Sequence, residues 1–428
     1  RNSIAMAFTR FSGIWVLWLA LHFTTSAART NHSETCEIAT AREENHYGSS
    51  GGIVMFPKMT EEIRAILHSD WSTLGGDGIL GRMKTDGVLE FAHGKDNFYT
   101  HLAGTFGVLK AWNQPDDISY CGILHTAYSG DLFQFFLWDA MEDKDRSTVQ
   151  DLIGKDAEAL VYSFGTINRG HLGGFEAAQT NATIMKPFEP NDSYMVRSRV
   201  TESQQVEVTS EDAAKILMVT IADYMDQMVD TNGWRDHHQV EIADRLYPGD
   251  GRPAVAFYWF SNVCHAIKPL LERTPPIFNQ CSTILDINDE TKARDAYWYA
   301  TLNEAELDDL QLIHYHEKAV SYNPFIAEPH VMLSQIYFRQ GKFYEAAVEA
   351  RQAIEKFYTL ATNWDKRRSY AHWVGFARML LLRCNRRMQN LTHLPYHDTS
   401  QDAYTSAKGL NLASIHDIAA EMKSYEEV

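Results

Sequence analysis

The chain has 428 residues, 45% hydrophobic and 12% aromatic, which is enough to bury at least one large core and to form two or three domains. Thirty-nine basic residues face fifty-six acidic ones, for a formal charge of −17. That balance repels nucleic-acid backbones and anionic membranes unless a local basic patch intervenes, and the main candidate patch, Lys366-Arg367-Arg368, is short.

From Met6, the segment MAFTRFSGIWVLWLALHFTTSAA places Arg10 before an apolar run of about 13 residues, with small residues from Ser26 to Ala28. This is the pattern of a secretory signal peptide, and the run is short for a membrane span. Residues 1–5 lie upstream of Met6. The reading predicts a secretory-route protein, secreted or kept in an organelle lumen, with no membrane span after signal removal. Four sequons, at Asn31, Asn181, Asn191 and Asn390, are its candidate glycosylation sites. Five cysteines (Cys36, Cys121, Cys264, Cys281, Cys384) show no CxxC spacing, which excludes a zinc knuckle and a thioredoxin motif. Cys264 and Cys281 could pair; a buried, fully reduced set fits the sequence equally well.

Residues 29–55 are polar and Gly-rich and read as a tail, so folding is expected to start near Phe56. From there to about Arg169 the pattern is helical. TEEIRAILHS opens on a capping-box-like Thr60, followed by DNFYTHLAGTFGVLKAW, DDISYCGILHTAY, STVQDLIG and KDAEALVYSFG, with Gly154 placed for a helix stop. The stretch SYMVRSRVTESQQVEVTS alternates apolar and polar residues around a turn and predicts a β-hairpin near 193–209. Helical periodicity resumes at SEDAAKILMVTIADYMDQMV, with Ser210 as the expected N-cap, and continues after the bend LYPGDGRP in AVAFYWFSNVCHAIKPLL. Residues 301–390 resemble a tetratricopeptide repeat. Ala327, Leu333, Tyr337, Gly341, Ala346, Ala347 and Ala353 fall where such helical hairpins place small and apolar contacts, and such a hairpin is expected to brace the domain spanning 56–300. Residues 391–428 read as a carboxy-terminal tail.

His101 and His125 lie 24 residues apart. That spacing suits two helices of about 12 residues joined by the NQPDD turn, an antiparallel pair able to bring both imidazoles to one ion. Asp223 sits on a mostly apolar helix, where an unpartnered carboxylate is costly and a cation would offset its desolvation; Asp226 is the alternative three residues on. The bland alternative is a histidine satisfied by a neighbouring hydroxyl such as Thr105.

The order of these residues resembles the HD-domain metal-dependent hydrolase superfamily, whose helical core uses a first His, a His-Asp pair and a later Asp. His101 matches the first position, His125 the second histidine and Asp223 the final aspartate. More closely, HLAGTFGVLKAW, GILHTAYSGD and IGKDAEALVYSF together resemble an uncharacterised domain family with HD-like features that often precedes repeat-like helices, a resemblance covering roughly residues 60–380. It implies a mainly α fold: an HD-like helical bundle with a short β-hairpin insertion and a carboxy-terminal tetratricopeptide-like hairpin. One position departs from the pattern, because Thr126 stands where the superfamily has the aspartate of its His-Asp pair. Tyr128 and Asp131 are the nearby stand-in candidates, although neither occupies the matching position. His101, His125 and Asp223 would still make a two-His, one-carboxylate site for zinc, manganese or iron. Their ligand atoms should then lie within roughly 4 Å of one another, or an ångström or two more without an ion.

A second cluster, Asp250, Arg252, Trp259, His265 and Lys268, reads either as a polar pocket with aromatic walls or as core. No Walker lysine loop, dinucleotide fingerprint, G-x-S-x-G elbow or H-E-x-x-H helix is present. Three functions remain. The first is a metal-dependent hydrolase of a small phosphorylated or nucleotide-like substrate, and the second a mononuclear iron oxygenase. The third is a scaffold, with no metal, that presents its repeat-like helices to a peptide partner.

Overall fold

A computed structural model describes residues 54–55, 78–88, 92–93, 96–129, 137–181, 183–201, 204–227 and 252–393, all within one compact unit. The signal-like segment, both expected tails beyond these bounds, the helix from Thr60, and Asn31, Asp131 and Asp250 lie outside the described residues. The protein is mainly α-helical with a short antiparallel hairpin. Among the described residues no helix is long and apolar enough to cross a membrane.

Helix α1 (Ile79–Thr85) leads into a two-residue ladder of β1 (Ala92–His93) and β2 (Asp96–Asn97), too short to leave an alternating pattern in the sequence. Asn97 then caps α2 (Phe98–Ala111), its side-chain oxygen accepting the Thr100 amide at 2.9 Å. Helix α3 (Asp116–Leu124) follows Pro115 and carries Asp116 and Asp117 in its first turn, where the helix dipole favours acids. Helices α4 (Asp143–Ile153) and α5 (Lys155–Thr166) are separated by Gly154 alone. Its φ of +86° is a conformation in which a side chain would be strained, so the predicted stop is real. A short helix, α6 (Phe175–Asn181), precedes the hairpin in a stretch to which the sequence assigned no element; at 7 residues it is too short to show periodicity.

The hairpin pairs β3 (Ser193–Arg197) with β4 (Gln205–Thr209), Tyr194 opposite Val208 and Val196 opposite Val206, and Val196 and Val208 are buried. Strand β4 runs directly into α7 (Ser210–Gln227). Ser210 is therefore already helical, and the cap is Thr209, whose hydroxyl accepts the Asp212 amide at 3.1 Å. Helix α8 (Phe257–Ile267) is capped from a distance. The buried Glu290 carboxylate accepts the amides of Ala256, Phe257 and Tyr258, each at 2.8 Å.

Glu290 belongs to α9 (Ile287–Leu302), which packs on α10 (Asp309–Tyr322), itself opened by an Asp308–Gln311 capping box. Helices α11 (Glu328–Arg339) and α12 (Phe343–Leu360) form the expected helical hairpin, turning at Gly341. Ala346, Ala347, Ala350 and Ala353 bury one face of α12 against Val331 and against Trp373, Leu380 and Leu381 of α13 (Tyr370–His393). These helices have a hydrophobic cluster of their own, joined to the larger one by buried polar bonds. The Trp112 indole donates to the Thr359 carbonyl at 3.2 Å, the Trp364 indole to Ala254 at 3.0 Å, and Tyr297 to the Asp365 carboxylate at 2.7 Å. The candidate basic patch is engaged in the same seam: Lys366 is buried and donates to Thr362, and Arg367 pairs with Asp365.

Cys264 and Cys281 form a disulfide, with their Cα atoms 5.1 Å apart, and Cys121 and Cys384 are buried free thiols. The bridge ties α8 to the turn preceding α9 across 17 residues. In the chain-entropy account, closing a loop of that length contributes about 3 kcal/mol. A Cys264→Ser/Cys281→Ser chain should therefore unfold at lower denaturant than wild type by about that free energy, and reductant should lower the wild-type midpoint while leaving the double variant unchanged.

Candidate metal centre

Helices α2, α3, α5 and α7 pack against one another, and the site lies where they meet. His101 is in the first turn of α2, His125 is the C-cap of α3, and Asp223 and Asp226 are in the last turns of α7. The NQPDD connection performs the predicted reversal, with Asn113 at φ +55° and Lys110 bridging to Asp116 at 3.0 Å.

The three predicted ligands converge. One ligand atom from each of His101, His125 and Asp223 lies within 4.8 Å of the others, and all three side chains are buried. His101 Nε2 is 3.2 Å and His125 Nε2 3.7 Å from Asp223 Oδ1. The opposite nitrogen of each ring is already committed. His125 Nδ1 donates to the Gly122 carbonyl at 2.8 Å, and His101 Nδ1 meets Asp226 Oδ2 at 3.0 Å. Thr105, the suggested hydroxyl partner, bonds the His101 backbone carbonyl and not its ring.

Asp226 reaches His101 because residue 104 has no side chain. A Cβ there would lie 2.2 Å from Asp226 Oδ1. Three other groups complete the surroundings. Gln227 donates to Asp223 Oδ1 at 2.9 Å. Arg169 places Nη1 3.8 Å from Asp223 Oδ2, donates to the Thr220 hydroxyl at 3.0 Å, and stacks its guanidinium 3.9 Å over the Phe164 ring. The edge of Phe164 also packs against the His125 ring.

Burial and charge set the protonation states. Burial by itself would lower the His101 pKa, but the Asp223 and Asp226 carboxylates at its two nitrogens raise it to about 9. Burial lowers His125 to about 4, so it is neutral at pH 7. Burial disfavours the Asp223 anion, yet His125, His101 and Arg169 hold its carboxyl well below the ordinary range.

This donor set fits a divalent ion. Two Nε2 atoms and a carboxylate oxygen face one point, and each imidazole is oriented from behind by a carbonyl or carboxylate acceptor, the outer-shell arrangement found around metal-ligating histidines. Asp226 is accordingly an orienting acceptor in this geometry and not the alternative ligand.

The remaining candidates lie elsewhere. Thr126 is buried and its hydroxyl has no hydrogen-bond partner among the described residues. Tyr128 donates to Glu158, a buried carboxylate that Arg146 and Gln150 also bind, so it braces α5 and is not a stand-in ligand. Trp259 is fully buried among Phe175, Tyr224 and Phe260, which makes it core and not a pocket wall. His265 donates to the Cys281 carbonyl and Lys268 to Ser282, so both polar ends serve the disulfide turn; Arg252 is partly buried.

A family model described as a domain of unknown function (DUF6817) matches residues 82–169. That stretch holds His101, His125 and Arg169 and stops before Asp223 and Asp226. No curated protein and no solved structure matches the chain.

A pH dependence follows from His101. Its folded pKa is raised to about 9 from 6.5, so its contribution to metal-free stability is complete below pH 6.5 and is lost as pH rises through about 9. Denaturant midpoints of chelator-treated protein should fall between pH 6.5 and 9, by on the order of 2–3 kcal/mol, and a His101→Gln chain should lack that slope.

Proposed function

We propose that the helical core is a metal-dependent, HD-like hydrolase acting on a small phosphorylated or nucleotide-like substrate. The observation that carries this reading is the convergence of His101, His125 and Asp223, with both histidines oriented from behind. His101 and His125 would hold a divalent ion through Nε2 and Asp223 through a carboxylate oxygen. Bound there, the ion supplies Lewis acidity and a water whose pKa falls towards about 7.

The protein's own groups do the rest. Gly122 and Asp226 keep the two rings pointed inward, at the entropic advantage of a preorganised site. Arg169 supports the choice of an anionic substrate. Once both histidines are neutral ligands, the two carboxylates balance a divalent ion and the guanidinium is left as net positive charge, which a phosphoryl group would neutralise. With Thr126 in place of the superfamily aspartate, the site is suited to a single ion, with weaker water activation than a two-metal centre.

A second reading rests on one specific observation. Protonated His101 and Arg169 balance Asp223 and Asp226 without any metal, so the same cluster could be a structural tie within a scaffold.

Metal analysis separates the two. After reconstitution with zinc, manganese or iron(II), wild type should retain one ion per chain. His125→Ala and Asp223→Ala should lose affinity by at least about 100-fold, and Asp226→Asn by about 10- to 100-fold. In the retained form, Arg169→Met should raise KM for a phosphorylated substrate about tenfold or more. A wild-type chain that retains none of the three metals excludes the hydrolase in favour of the scaffold. Selective retention of iron(II) with oxygen consumption and no phosphate release favours the oxygenase.

A further inference from the structure

Outside the buried centre, the segment leading into the hairpin carries a chemical signature that the proposed hydrolase does not use. Asn191-Asp192-Ser193 is one of the four sequons, and the structure distinguishes it from the other two that lie among the described residues. Asn181 is the last residue of α6 and Asn390 lies inside α13, whereas Asn191 occupies a turn between them at φ +64°, two residues before the start of β3. In helical backbone, residues i and i+2 project to opposite sides. In extended backbone they share a side, so only a turn or strand presents the amide and the i+2 hydroxyl together. Asn191 and Ser193 are both exposed.

The contacts around Asn191 leave its amide available. Its backbone N–H donates to Glu211 and the Ser193 hydroxyl donates to Glu207, while the Asn191 side chain makes no hydrogen bond among the described residues. Two further observations support a modification here. Met195, on the same face of the hairpin as Ser193, is 55% exposed, an apolar side chain that a bulky polar group would shield. The Cys264–Cys281 bridge belongs to the oxidising compartments in which sequons are glycosylated.

We propose that Asn191 carries an N-linked glycan that covers the hairpin. The donor class is a lipid-pyrophosphate-linked oligosaccharide. The bond from its anomeric carbon to the phosphate oxygen breaks, that carbon bonds Asn191 Nδ2, the amide loses one proton, and the lipid pyrophosphate leaves with the electron pair. This does not depend on the metal-site reading, since the sequon shares no residue with that centre.

The test uses the full chain, produced from its own amino terminus in a eukaryotic host. Peptide mapping should recover the peptide spanning Asn191 only after enzymatic glycan release, with Asp at position 191. Asn191→Gln should run smaller than wild type by one glycan. If that chain does not accumulate, Ser193→Ala should give the same loss and Ser193→Thr should keep the wild-type mobility. Recovery of an unmodified Asn191 peptide, or unchanged mobility in Asn191→Gln or Ser193→Ala, overturns the proposal.

Discussion

One carboxylate, a guanidinium and two imidazoles are buried, and a second carboxylate half-buried, at the meeting point of four helices, and the surrounding structure must keep their charges in register. Removing one partner from such a set leaves an uncompensated buried charge, at a cost of several kcal/mol. The set is therefore held from behind at nearly every point. The Gly122 carbonyl and Asp226 hold the histidines, Gln227 holds Asp223, and Thr220 and Phe164 hold Arg169. Under the proposed metal-bound reading, an ion would take the place of the proton on His101 as the positive charge between the two aspartates.

The sequence was informative where a single local rule sufficed. Spacing and the Pro-containing turn placed His101 and His125 on neighbouring helices, and an acid on an apolar helix marked Asp223 as needing a partner. Gly154, the 193–209 hairpin and the alanines of α12 were legible because each has a local signature: a stop, an alternation, or a small-residue face. What escaped was non-local. Arg169 follows α5 in a short 3₁₀ turn, and nothing nearby in sequence says that its guanidinium turns back to a carboxylate 54 residues later. Gly104 reads as an ordinary helical glycine until Asp226 is seen against it. The Thr209 cap was misassigned to Ser210 because strand and helix abut without a loop.

Buried carboxylates recur as distant caps in the second half of the chain. Glu290 closes the amino end of α8, and Glu328 accepts the Trp364 and Asp365 amides between α12 and α13. Burial raises both to about 7, although the amide donors favour their anions. Each fixes backbone that sequence proximity cannot, so the carboxy-terminal helices are joined to the larger core by directional bonds as well as by apolar area. Such joints specify one arrangement more strictly than a hydrophobic seam, because an unmade buried bond is costlier than an imperfect contact.

The missing side chain at residue 104 gives the centre an independent adjustment. A single methyl added there would meet the Asp226 carboxylate first, pushing the acceptor away from His101 while leaving both imidazoles and Asp223 chemically intact. The basicity of the His101 ring thus depends on the volume at residue 104, and evolution or an experimenter could retune the centre through that volume without altering His101, His125 or Asp223.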